Sequence, residues 1–219
     1  MSNVGVTAAP GFLAAGIHCG IRKNKDKRDL ALVVAETECA AAAVYTTNRV
    51  KAAPLLLTME HLKNGRARAI LANSGCANAC APGGYEAAQA VCAAAAQAVG
   101  IAPEDLIVNS TGVIGVTLPV EPVTAALPAL AKALSRNGQT AAEAIMTTDT
   151  FPKQAAVRFA LDGKTVTLGG MAKGSGMIHP NMATMLSFLT TDCAIAPELL
   201  REALVQSARR TYNRVSVDG

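Results

Sequence analysis

The sequence has 219 residues, of which 51% are hydrophobic, enough to bury the core of one large or two small domains, and this composition excludes a disordered chain. Its formal charge of +4 comes from 20 basic and 16 acidic residues spread along the chain, and its longest basic tract, residues 22–28, is typical of a solvated turn. Aromatic residues make up 3% and Trp is absent, so no nucleic-acid partner is expected.

Short apolar runs separated by turn signals predict alternating strands and helices in the first half of the chain. Pro54 opens a predicted helix that ends at Asn64-Gly65, and an Ala-rich helix is predicted over 85–99 with Gly100 as its end. Strands are predicted over 29–35, 41–46, 68–72 and 106–108, and a turn is predicted at 36–38, between the first two of them.

The second half continues the alternation. A helix is predicted over 121–134, bent at Pro128, and another helix begins at Pro197. The Asp-Gly turn at 162–163 predicts a hairpin of strands 155–161 and 165–168, and one more strand is predicted over 184–189. This order of elements predicts an α/β fold, an α+β mixed sheet with helices packed on it.

Cysteine content, the N-terminus and the C-terminus constrain the class of protein. Six cysteines are too few for a disulfide scaffold, and with three histidines they give no convincing zinc ligand set, so no metal is expected. Without a signal-peptide pattern or an 18-residue apolar stretch, we expect a soluble cytoplasmic protein with no membrane partner. Residues 214–219 alternate like a strand that has no returning partner, which predicts a fragment of a longer protein.

Three polar segments are candidates for chemistry. Residues 109–112, Asn-Ser-Thr-Gly, follow a predicted strand and would place hydroxyls and amides where an oxyanion can be held. Residues 146–153 are dense in hydroxyls with one acid, but a helix cap followed by a turn explains this pattern at least as well as a functional site does. The glycine-rich segment 169–176 could cradle a phosphate, but Lys173 precedes Gly174 and so departs from the P-loop pattern.

A serine-hydrolase triad has no support, because Gly-x-Ser-x-Gly is absent. Thr184 stands near the start of the last predicted strand, where a β-branched residue needs no functional explanation. Neither observation by itself identifies a nucleophile.

Taken together and in order, the motifs resemble those of the ornithine acetyltransferase family of arginine biosynthesis, the bifunctional glutamate N-acetyltransferases called ArgJ. This resemblance implies a DmpA/ArgJ-like fold of the autoprocessed, N-terminal-nucleophile type. The segments that carry it are 47–54, 71–75, 77–79, 109–115, 145–150, 152–153, 169–177 and 182–186.

The resemblance also implies self-cleavage between Ala183 and Thr184. Residues 1–183 would then form a first (α) chain, and residues 184–219 the incomplete start of a second (β) chain. The Thr184 hydroxyl would attack the Ala183 carbonyl, and water would release the two chains. The freed α-amine, with an ordinary pKa of about 7.7–8, could then serve as the general base for its own hydroxyl.

By the same resemblance, an acetyl-Thr184 intermediate carries the acetyl group from N-acetylornithine to glutamate. Thr111 and Gly112 match the oxyanion-stabilising pair, while Thr147, Lys173 and Thr184 match the substrate-binding positions. No cofactor is implied, although acetyl-CoA use as a second acetyl donor stays open. The implied partner is the other processed chain, in an α2β2 assembly.

Three other interpretations remain open at this point. The same N-terminal threonine could serve an aminopeptidase or amide hydrolase, because one fold supports several chemistries. The glycine-rich segment 169–176 could instead belong to a nucleotide-binding module. The chain could also be an inactive, truncated partner of another polypeptide, since the family's remaining contacts lie past Gly219 and little transferase activity is expected without them.

Overall fold

The computed structural model describes residues 4–180 and 185–217, which form two β-sheets and five α-helices. A four-stranded sheet has the order β1-β2-β3-β4, and a three-stranded sheet has the order β5-β6-β7. The strands are β1 Phe12–Ile17, β2 Leu30–Ala40, β3 Arg66–Cys76, β4 Leu106–Val113, β5 Lys153–Leu161, β6 Lys164–Lys173 and β7 Leu186–Thr191. The helices are α1 Ala53–His61, α2 Gly84–Val99, α3 Val120–Lys132, α4 Gln139–Ala144 and α5 Pro197–Arg210.

The larger sheet separates two hydrophobic cores because side chains of each strand alternate between its faces. On β2, Leu30 and Leu32 pack into one core with α1, α2 and α3, whereas Ala31 and Val33 pack into the other with α4. The smaller sheet closes this second core through Met171. A mixed α/β architecture with helices packed on the sheet is therefore confirmed.

The one parallel pair among these strands joins β3 to β4, whereas β1, β2 and β3 run antiparallel. Helix α2 lies in the connection between the two parallel strands, as such a crossover requires. The parallel register runs from Ala69 opposite Leu106 to Gly75 opposite Gly112. The carboxyl ends of both strands therefore lie side by side.

In the smaller sheet, the end of β6 lies beside the start of β7. Strands β5 and β6 form a hairpin through Asp162 and Gly163, both in the left-handed region. Strand β7 then pairs with β6, and the last pair in the register joins Lys173 to Leu186. The connection between β6 and β7 therefore begins and ends at neighbouring positions of the sheet.

Several boundaries differ from the sequence prediction. The predicted turn at 36–38 lies inside β2, whose register shifts between Val34 and Cys39, and residues 41–46 form no strand. The polar residues at 36–38 are exposed there, where the strand extends past the core. Strands β3 and β4 continue through the predicted loops after residues 72 and 108, because their parallel pairing continues to Gly112.

Three further predictions of secondary structure differ from the observed elements. Strand β1 and the short helix α4 were not predicted, and residues 215–217 form no strand. Instead the Val217 amide donates a 3.0 Å hydrogen bond to the Ile178 carbonyl. The predicted helices from Pro54, over 85–99, over 121–134 and from Pro197 are confirmed, as is the hairpin at 162–163. Among residues 4–180 and 185–217, no helix is long and apolar enough to span a membrane.

Gly112 is required where β4 approaches β3. Its φ is +134°, and a Cβ atom there would lie 2.4 Å from the Gly75 carbonyl carbon. We expect Gly112→Ala to lower the free energy of unfolding by about 3 kcal/mol, measured by urea denaturation, because backbone strain adds to steric overlap. Gly115→Ala is the matched control: its φ is +84° but no atom lies within 4 Å, so only about 1 kcal/mol should be lost. Equal losses of unfolding free energy in the two variants would show that the close approach of the strands at Gly112 does not require a glycine there.

Candidate active site

Three segments that the sequence marked as polar lie in one connected region. These are the carboxyl ends of β3 and β4, the segment 145–149 after α4, and the end of β6. The Ser74 hydroxyl donates a 2.6 Å hydrogen bond to the carbonyl of Ala144, the last residue of α4, which joins the first segment to the start of the second. The Gly174 amide donates a 2.8 Å hydrogen bond to Asp149, which joins the second to the third.

The predicted oxyanion pair lies at the end of the parallel strands. Thr111 is buried and pairs with Ser74, and Gly112 pairs with Gly75. Beside them, the Ser110 hydroxyl donates a 2.6 Å hydrogen bond to the Asn73 side chain, which in turn donates to the Cys76 carbonyl at 2.9 Å. These polar contacts hold the backbone at the position where the sequence predicts that negative charge is stabilised.

Asp149 organises the second segment. Its side chain is fully buried, and its carboxylate accepts hydrogen bonds from the Lys153 ammonium at 2.5 Å, the Gly174 amide at 2.8 Å and the Thr147 amide at 3.1 Å. Burial alone would raise the pKa of Asp149, but these hydrogen bonds and the Lys153 charge outweigh it and lower that pKa below its ordinary value. The carboxylate therefore stays ionised and fixes the backbone of Thr147.

Lys173 is the last residue of β6 and is only 4% exposed. Burial lowers the pKa of Lys173, the charges of Lys153 and Arg22 lower it further, and Asp149 opposes them. Within residues 4–180 and 185–217, the Lys173 ammonium makes no hydrogen bond. A buried lysine whose ammonium has no such partner is suited to bind the carboxylate of a small ligand.

The structure thus brings together Thr147 and Lys173, through Asp149, and places Thr111 and Gly112 on the neighbouring strand end. Ala183 and Thr184 lie outside the described residues. Leu186, the second residue after Thr184, pairs with Lys173, so strand β7 begins directly beside the predicted substrate-binding lysine.

The glycine-rich segment is not a phosphate-binding loop over its first five residues, which belong to β6. A Cβ atom on Gly169 would lie 2.0 Å from the Gly5 carbonyl oxygen, and one on Gly170 would lie 2.6 Å from a methyl of Leu189. These glycines permit close packing, and the nucleotide-binding interpretation loses its structural basis.

The roles of two residues in this region were not predicted from the sequence. Asp149 was only the one acid among hydroxyls, and no local signal marks it as buried. Arg22 was assigned to a solvated turn, and this was wrong: it is half-buried, and its guanidinium donates a hydrogen bond to the Met146 carbonyl. Both roles depend on contacts between distant segments.

Asp149→Asn should lower the free energy of unfolding by about 1–3 kcal/mol at pH 7, because the charge opposite Lys153 is lost in a buried site. The lowered pKa of Asp149 means that its contribution is present above the ordinary aspartate pKa and disappears as the pH falls through the folded-state value.

Urea denaturation at pH 7 and in acid should therefore show that the difference between wild type and Asp149→Asn shrinks at low pH. The control is Asp162→Asn in the exposed hairpin turn, where asparagine also accepts the positive φ of 49°. A difference that is constant with pH would contradict an ionised Asp149 in the folded protein.

The sequence matches the ArgJ family over residues 13–219. The arginine biosynthesis bifunctional protein ArgJ of Symbiobacterium thermophilum is 56% identical over 218 residues, which cover 98% of this chain and 54% of that protein. The chain therefore spans about half the length of the curated relatives it matches.

Two solved structures have the same fold at substantial identity. The ArgJ structure from Bacillus halodurans is 40% identical, with a TM-score of 0.76, and the match covers 85% of this chain and 96% of that one. The ornithine acetyltransferase of Mycobacterium tuberculosis, solved in complex with ornithine, is 41% identical with a TM-score of 0.76, and the match covers 85% and 98%. The ArgJ-like fold is confirmed, and the chain belongs to the ArgJ family.

Proposed function

We propose that this chain is part of an autoprocessing acetyltransferase of arginine biosynthesis, a glutamate N-acetyltransferase that transfers the acetyl group of N-acetylornithine to glutamate. The observation that carries this proposal is the buried residue Lys173, whose ammonium makes no hydrogen bond within the described residues and feels the charge of Asp149, the carboxylate that also fixes the backbone of Thr147. The relative from Mycobacterium tuberculosis that binds ornithine supports this substrate class.

The local charge balance suits an amino acid with a free carboxylate. Lys173 has Lys153 and Arg22 near it as like charges and Asp149 as an opposite charge. Both N-acetylornithine and glutamate carry an α-carboxylate, which would neutralise the cation that Asp149 leaves uncompensated. Thr147 would contribute its hydroxyl beside this carboxylate, in the substrate-binding role that the family resemblance implies.

Self-cleavage would create the nucleophile. The Thr184 hydroxyl oxygen attacks the Ala183 carbonyl carbon, the peptide nitrogen leaves as the Thr184 α-amine, and water hydrolyses the resulting ester. Residues 1–183 then end the first chain, and Thr184 begins the second. Two residues of chain reach about 7 Å, so the pairing of Leu186 with Lys173 supports a nucleophile near the substrate-binding lysine.

The lengths of the solved relatives also support cleavage. Each solved chain is almost fully covered by 85% of this chain, whereas the curated relatives extend to about twice its length. A polypeptide cut near the position proposed here would give a first chain of that shorter kind.

Acetyl transfer would follow in two steps. The Thr184 hydroxyl, losing its proton to its own α-amine, attacks the acetyl carbon of N-acetylornithine, and the amine returns the proton to the departing ornithine nitrogen. The amine of glutamate then attacks the acetyl-Thr184 ester and releases N-acetylglutamate and the free hydroxyl. In both steps Thr111 and Gly112 would stabilise the negatively charged oxygen, an effect worth about 2.7–4 kcal/mol for a single donor.

The same proposal includes the assembly and the location. The first chain would pair with the second in an α2β2 enzyme in the cytoplasm, with no cofactor and no nucleic-acid or membrane partner. Acetyl-CoA as a second acetyl donor would make the enzyme a synthase of N-acetylglutamate as well.

Thr184→Ala should abolish both cleavage and acetyl transfer, because it removes the attacking oxygen. Intact mass under denaturing conditions is the measurement, on the polypeptide encoded through to the end of its reading frame. Wild type should give fragments that end at Ala183 and begin at Thr184. Thr184→Ser keeps a hydroxyl and should still cleave. An uncut wild-type polypeptide would contradict self-cleavage, and transfer by Thr184→Ala would overturn the nucleophile.

Lys173→Met should raise the KM for N-acetylornithine about 10–100-fold, because a charge-assisted hydrogen bond to the carboxylate is lost. Since the pKa of Lys173 is lowered, wild-type substrate binding should weaken at a lower alkaline pH than an ordinary lysine, with a pKa of 10.5, would give. Steady-state kinetics across alkaline pH test both points. Lys164→Met, at an exposed position of the same strand, should leave KM unchanged. An unaltered KM in Lys173→Met would exclude Lys173 from substrate binding.

A further inference from the structure

We propose that Arg22 is a positioning residue of this site: held by Asp29, it fixes the segment 146–149 against the end of β3 and so orients Thr147 and Lys173. The proposal rests on the function proposed above for its kinetic consequence, but its structural part can be tested without any activity.

Asp29 anchors the start of the loop that contains Arg22. This carboxylate is fully buried, and it accepts hydrogen bonds from the amides of Cys19 at 2.6 Å and Arg22 at 2.8 Å. His18 lies 3.3 Å from the same carboxylate, and the Asp29 carbonyl accepts the Ser74 amide at 2.9 Å. The loop between β1 and β2 is therefore tied to β3, and the backbone of Arg22 is anchored at its amide.

The Arg22 side chain crosses from this anchor to the candidate site. Its stem covers Gly75, where a Cβ atom would lie only 3.0 Å from the Arg22 Cγ. Its guanidinium donates to the Met146 carbonyl, directly before Thr147. One residue thus contacts both the strand end that pairs with Gly112 and the segment that carries Thr147.

The contact is complementary to the one made by Asp149. Asp149 holds the Thr147 amide from one side, and Arg22 holds the preceding carbonyl from the other. The Met146 carbonyl thus gains a hydrogen bond from Arg22, whereas the buried Nε of Arg22 has no hydrogen-bond acceptor among the described residues. An unpaired buried N–H lowers the stability of the fold, and proteins tolerate such a cost mainly at functional sites.

Arg22 also adds charge to the site. It faces Asp29 and Asp149 as opposite charges, and Lys173 as a like charge. Removing the guanidinium charge should therefore raise the pKa of Lys173 relative to wild type, while the loss of the hydrogen bond frees the Met146 carbonyl. The two effects can be separated because a lysine at position 22 keeps the charge but not the planar group that reaches Met146.

The test compares wild type with Arg22→Met, Arg22→Lys and Lys23→Met, the last at an exposed position of the same loop. Amide hydrogen exchange of peptides that cover 144–150 is the first readout. We expect exchange at Thr147 to accelerate at least tenfold in Arg22→Met and to remain at the wild-type rate in Lys23→Met. Unchanged exchange at Thr147 in Arg22→Met would overturn the proposal; should that variant not fold, unchanged exchange in Arg22→Lys would do so.

The second readout is the pH profile of acetyl transfer. KM for N-acetylornithine should rise about tenfold in Arg22→Met, and the alkaline limb should move to higher pH than in wild type. In Arg22→Lys the alkaline limb should stay at the wild-type pH, and KM should rise, but less than in Arg22→Met. An alkaline limb at the wild-type position in Arg22→Met would overturn the electrostatic role. Wild type without transfer activity would reject the proposed function alone, because hydrogen exchange still decides the positioning role.

Discussion

The fixed, ionised carboxylate of Asp149 is the interaction on which the candidate site depends. It draws the segment after α4 and the end of β6 together, because Thr147 and Gly174 donate their amides to the same buried side chain. A buried carboxylate is costly unless donors surround it, and here one ammonium and two amides do so. The geometry around Lys173 follows from this one charge.

The sheets supply the rigidity that such a charge needs. Gly112 allows the parallel strands to meet closely at Gly75, and the core on each face holds the larger sheet in place. Catalytic side chains on strand ends are held more precisely than on free loops. The candidate oxyanion pair and Lys173 both lie on strands, whereas the connecting polar residues lie between them.

Local patterns predicted much of this fold but only part of the site. Capping signals and the Asp-Gly turn identified the helices from Pro54 and over 85–99 and the hairpin at 162–163, because these elements are stabilised by neighbouring residues. The ends of β3 and β4 were missed, since polar residues continue there as strands only through pairing with each other. Motif order pointed to Thr111 and Lys173. Arg22 was misjudged because its partner, Met146, is 124 residues away.

Because Lys173 and Leu186 pair in the smaller sheet, cleavage of the segment between them would leave β6 and β7 paired. Strands β6 and β7 are held by a continuous antiparallel register from Leu168 opposite Thr191 to Lys173 opposite Leu186, and a cut between them leaves every one of these pairs intact. The two pieces would stay folded as a noncovalent complex. Unfolding would then release two molecules in place of one, so the stability of the cut protein would depend on its concentration, whereas that of the uncut chain would not.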